Sequence, residues 1–84
     1  MNIYLVMESD GYEVTNILRA YRSKRRAKKF IKAINDYLET VTYPKYPLNG
    51  SFDDFISEVD KVNSKHPAKM QTEGSLYIEQ IKVY

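Results

Sequence analysis

The sequence predicts one α+β domain: a three-stranded, mainly antiparallel sheet with two helices on one face, in the order ββααβ. Three observations carry this. Two segments near the start and one at the end are rich in β-forming residues, and two segments between them repeat apolar residues at helical spacing. Each helix has one apolar stripe to cover, and a single small sheet covers both. With 84 residues, the chain has room for one small core, burying roughly 60% of the surface its unfolded form exposes.

The first strand is Asn2 to Met7. Ile3, Leu5 and Met7 alternate with Tyr4 and Val6, so it is apolar on both sides and belongs in the middle of the sheet. Ser9-Asp10-Gly11 is a turn signal, and Tyr12 to Tyr21 follows as the hairpin partner. Its alternation is imperfect, which a bulge would accommodate. Ser23 then caps a helix running from about Lys24 to about Thr40. Ala27, Phe30, Ile31, Ile34, Leu38 and Val41 fall on one side of it.

Pro44, Pro47, Asn49 and Gly50 close that segment with a stiff loop bearing Tyr43 and Tyr46. Ser51 caps the second helix, whose first turn holds Asp53 and Asp54 and whose apolar side is Phe52, Phe55, Ile56, Val59 and Val62. Ser64 to Ser75 reads as a polar loop. Leu76 to Tyr84 is the last strand, with Ile78, Ile81 and Val83 on one face only if Glu79-Gln80 forms a bulge. The expected core joins Phe30, Ile31, Ile34, Leu38, Phe55, Ile56 and Val59 against Leu5.

Charge is divided along the chain. From Val14 to Asn35 there are eight basic residues and no Asp or Glu, while the remainder holds five Lys against 11 acids. The block comprises Arg19, Arg22, Lys24, Arg25, Arg26, Lys28, Lys29 and Lys32. At about 100° per residue, Arg25, Lys28, Lys29 and Lys32 lie opposite Ala27, and Arg26 flanks the buried stripe. A solvated helix face is the ordinary explanation for such residues. Yet cations in a first turn oppose the helix dipole, each by ~0.3–1 kcal/mol, and only Lys32 has an acid, Asp36, at i+4. A face kept basic against local stability points to an anionic partner.

Nothing nominates a catalytic group. Cys is absent, the three glycines stand apart, and there is no phosphate loop or metal-ligand cluster, so no cofactor or metal is expected. The lone His66 precedes Pro67 and is expected on an extended, exposed loop. A Ser64-His66-Asp60 arrangement can be drawn, but any small protein offers one. Of the eight tyrosines, Tyr4, Tyr21, Tyr37 and Tyr77 suit a thin core. Tyr43 and Tyr46, on the stiff loop, either contact a partner or fold back over the gap between the helices.

Ile3-Tyr4-Leu5-Val6, Ser9-Asp10-Gly11-Tyr12-Glu13, Tyr21-Arg22-Ser23-Lys24 with Ala27 and Phe30-Ile31, and the closing Tyr77-Ile78-Glu79-Gln80-Ile81-Lys82-Val83 together form a pattern. It resembles that of small, functionally uncharacterised bacteriophage-encoded proteins. The resemblance implies an origin rather than an activity. Such proteins usually mix Glu with Lys across the first helix, whereas this one carries only basic charges from Lys24 to Asn35.

The expected function is therefore a non-enzymatic accessory protein that binds and inhibits a host or defence protein. The binding residues would be Arg19, Arg22, Arg25, Arg26, Lys28, Lys29, Lys32, Tyr43 and Tyr46, meeting an acidic protein surface. The alternative is a binder of nucleic acid or a small nucleotide through the same face. No apolar run approaches the ~20 residues of a membrane span, and Met1 leads into a strand rather than a signal peptide. A cytoplasmic location, in the host cell, is expected, with a homodimer possible through the opposed charges of the two helices or the open strand edges.

Overall fold

The computed structural model describes residues 1–9, 11, 15–46, 50–72 and 74–84. The order is β1 (Asn2–Ser9), β2 (Thr15–Tyr21), α1 (Lys24–Thr40), α2 (Phe52–Lys65) and β3 (Ser75–Lys82), an α+β arrangement. The sheet runs β2-β1-β3, with both neighbours antiparallel to the central strand. Two compact units are distinguished, residues 1–33 with 72–84 and residues 34–71, and the boundary falls within α1.

In the first unit β1 is central because it is apolar on both faces. The expected bulge lies in β2: Val6 pairs with Arg19 but Met7 pairs with Ile17, leaving Leu18 as the extra residue. The strand is described from Thr15, so the expected turn residue Asp10 and the segment from Tyr12 to Val14 lie outside the described residues, as do Pro47 and Asn49 in the later loop. Strand β3 pairs without interruption from Asn2↔Lys82 to Ser9↔Ser75. No bulge unites its apolar residues, so Ile78 shares a face with Val6 while Ile81 and Tyr77 share one with Ile3 and Met7. Beyond the strand ends, the Val83 amide donates to the Met1 carbonyl at 2.8 Å. At the other end, a Cβ on Gly74 would run into the carbonyl of Ser9, which restricts that position to glycine.

The first half of α1 lies on the Val6 face. Tyr21, paired across from Tyr4, meets Phe30 with ring centroids 5.9 Å apart. Val6 and Ala27 are fully buried. This corrects the expected core in one respect. Leu5 points to the opposite face from Val6 and cannot anchor the helix, because alternate residues of a strand point to opposite sides.

In the second unit, Ile34 is fully buried and Leu38, Phe55 and Val59 are half-buried, but Ile56 is exposed. The Tyr37 hydroxyl donates to the Val62 carbonyl at 2.6 Å. The end of α2 holds a second correction. His66 is fully buried rather than exposed. It is the C-cap residue, its amide donating to the Asn63 carbonyl, and its Nδ1 accepts the Ala68 amide at 2.9 Å. Its ring stands edge-on to Tyr37, 5.4 Å between centroids. The Ala68 amide and the Tyr37 ring hold the imidazole inward, where the His-Pro pair alone suggests exposure.

Candidate functional site

The basic block is carried by three pieces of the first unit: the end of β2, the connection to α1, and the outer side of α1. Ser23 starts the helix by accepting the Arg26 amide on its hydroxyl at 3.4 Å and the Ala27 amide on its carbonyl at 3.1 Å. That start fixes the phase of everything after it. Ala27 turns inward, and Arg25, Arg26, Lys28, Lys29 and Lys32 are all exposed, as are Arg19 and Arg22.

Among the described residues, no ion pair involves Arg22, Arg25, Arg26, Lys28 or Lys29. Lys32 is already engaged, and so is Asp36. Arg19 places its guanidinium over the Phe30 ring, 5.4 Å from the centroid. The first turn of α1 holds no acidic residue, so its three cations face the positive end of the dipole unrelieved.

Two adjoining hollows lie among these cations. One, of about 340 Å³, has an apolar floor of Tyr21, Phe30 and Ala33 and is edged by Arg26 and Lys29. The other, of about 380 Å³, lies at the start of α1 between Ser23, Arg25, Arg26 and Lys29. Arg26 and Lys29 border both. Sequence reasoning placed Tyr21 and Phe30 in the core and so missed the floor. The signal was available in Arg26 and Lys29 alternating with Phe30 and Ala33 along the helix, which sets cations beside apolar surface.

The two loop tyrosines belong to the second unit and differ from each other. Tyr43 is half-buried and its hydroxyl donates to Asn63 Oδ1 of α2 at 2.7 Å. Burial, and secondarily the neighbouring Tyr37, raises its pKa above the ordinary 10.0. Tyr46 is exposed and stands against Phe55 and Phe52, with centroids 5.2 and 5.9 Å away. Tyr43 thus serves its own unit, and Tyr46 joins the exposed Phe52 and the half-buried Phe55 in an aromatic trio.

Two of the three residues of the drawn Ser-His-Asp arrangement are engaged with backbone groups instead. The Ser64 hydroxyl donates to the Lys61 carbonyl at 2.7 Å, and His66 Nδ1 is taken by Ala68. Among the described residues no three His, Cys, Asp or Glu side chains are grouped to hold a metal, and no helix is long and apolar enough to cross a membrane. Compared with known proteins, the chain matches no family model, no curated protein and no solved structure.

Proposed function

We propose that this chain is a non-catalytic binding protein that docks on an acidic protein surface through the outer side of α1. The carrying observation is the apolar-floored hollow of Tyr21, Phe30 and Ala33 set among exposed cations that have no ion-pair partner among the described residues. Protein interfaces draw most of their energy from a few apolar anchors within a polar rim. Here the hollow receives an apolar side chain of the partner, while Arg25, Lys28 and Lys29 speed encounter and set orientation. The Phe30 ring is already engaged by Tyr21 and by the Arg19 guanidinium, which favours an aliphatic guest over a stacked base. The phage-type sequence pattern suggests a host or defence protein, inhibited by occupation of its acidic surface.

A second reading has its own observation. The hollow of Ser23, Arg25, Arg26 and Lys29 sits at a helix start with no acid in its first turn, an arrangement suited to phosphate. Nucleic acid or a nucleotide would bind there.

One experiment separates these. The tagged chain and its Arg25→Glu, Lys28→Glu, Lys29→Glu variant are used to capture partners from host lysate, with and without nuclease. A protein captured by the wild type, retained after nuclease and lost with the variant supports the first reading. Equal capture by the variant overturns both. Capture abolished by nuclease transfers the assignment to the second, for which log K should fall against log salt by about 0.9 per phosphate neutralised.

A further inference from the structure

The sheet has a second face, and its composition is unusual. In an antiparallel sheet with one face packed on a helix, the other face is commonly polar. Here the second face is apolar as well. The face toward α1 joins Tyr4, Val6, Tyr21, Leu76 and Ile78 to Asn2, Glu8, Arg19, Gln80 and Lys82, while the other joins Ile3, Leu5, Met7, Ile17, Ala20, Tyr77 and Ile81 to Ser9, Ser75 and Glu79. The central-strand residues are shielded by the strands beside them, but the flanking ones are not. Ile17 is 61% exposed, Ile81 42%, Val83 40% and Tyr77 38%. Scattered exposed apolar residues are normal, but a contiguous apolar sheet face is not.

We infer that this open face is the interface of a homodimer, two copies packing sheet against sheet. Three strands at ~4.8 Å and eight residues at ~3.4 Å give a flat footprint of about 390 Å² per copy. Side chains standing off the sheet add to it, bringing the two copies together to roughly the 1,000 Å² that a specific interface needs. The need for such burial is visible in the fold itself. Among the described residues, only Val6, Met7, Ala27 and Ile34 are buried hydrophobic residues, a small core for a chain of this length. Identical copies supply the missing cover wherever the chain is made, and the interface they form has the apolar character of obligate dimers.

Charge selects the orientation. Glu79 is the one charged residue of β1, β2 or β3 that the pairing places on this face, in the row Ala20–Leu5–Glu79. A two-fold axis along the strands lays β3 of one copy over β2 of the other. Each Glu79 then meets Ala20 of the second copy, a short side chain that leaves the carboxylate a path to water at the rim. An axis across the strands would instead stack β3 on β3 with like charges on facing strands. The favoured packing is the aligned sandwich at about −30°. It leaves both copies of α1 outward, so the basic faces remain free for a partner.

The test is sedimentation equilibrium of the full chain. The expected mass is twice that of one chain, unchanged at ~1 M salt, where a Debye length of ~3 Å screens association through charged faces. Ile17→Lys, at the most exposed position, should sediment as a monomer. A milder variant, Ile17→Thr with Ile81→Thr, keeps the strand propensity and should weaken the dimer by about tenfold or more in Kd if the lysine variant does not fold. A monomeric wild type at all concentrations overturns the inference. So does a dimer that salt dissolves, or one that neither variant weakens.

Discussion

Helices α1 and α2 begin alike and then follow opposite rules. Each starts on a serine, Ser23 accepting the Arg26 amide and Ser51 the Asp53 amide. Behind its cap α2 places Asp53 and Asp54 in the first turn and Lys65 in the last, both matched to the helix dipole. Helix α1 has no acid in its first turn and no base in its last. Their burial differs in the same direction. Ala27 and Ile34 of α1 are buried, whereas no residue of α2 is. A helix held by packing can carry charges that do nothing for its own stability, and a helix held by its caps cannot. That difference marks the outer side of α1 as the surface shaped by something other than folding.

The largest effect should come from breaking the packing half of this contrast. Ile34→Ala removes a fully buried side chain and should cost ~2–5 kcal/mol, much of the stability of a domain this small. Ile56→Ala, on the exposed side of α2, should cost under ~1 kcal/mol. Urea unfolding of the two variants measures both. Equal losses would show that the helices are anchored alike and would remove the contrast.

The helices themselves were legible because a 3.6-residue period is strong over 17 residues; Lys24–Thr40 follows from it directly. The place of β1 was legible for a related reason, since only a central strand needs both faces apolar. The same property hid the orientation of the sheet. With Leu5 and Val6 both apolar, a two-residue period cannot say which of them faces the helix, and the pairing of Tyr21 with Tyr4 decides it. His66 was misread because a His-Pro pair says nothing of the Asn63 carbonyl and Ala68 amide that draw it in. The cations of the candidate site were visible in the charge pattern. The hollow they surround was not, because it forms only when β2 and α1 bring Tyr21 beside Phe30.

A smaller effect tests the electrostatic half of the contrast, and its sign differs between the helices. Ser51→Ala should destabilise by ~1 kcal/mol, since α2 depends on its cap. Arg25→Glu in the first turn of α1 should raise stability by ~0.3–1 kcal/mol, and Asp53→Lys in α2 should lower it by a similar amount. Thermal unfolding at low salt reads these differences, which should shrink as salt rises. A destabilised Arg25→Glu would mean that the basic face serves the fold after all.

The smallest effect concerns the tyrosine tied to α2. Burial raises the pKa of Tyr43 first and Tyr37 adds to it, so the phenol stays neutral in the folded chain where the unfolded one ionises. A pKa raised on folding contributes stability that is fully present below the unfolded value near 10.0 and is lost as pH climbs through the folded value. The wild type should therefore lose stability on the alkaline side. Tyr43→Phe also removes the hydrogen bond to Asn63, so it should start less stable at neutral pH and decline less steeply above pH 10.0. Urea midpoints taken across that range give the slope for each form. Parallel slopes for wild type and Tyr43→Phe would show that the Tyr43 hydroxyl faces water, returning it to the candidate contact residues of the loop.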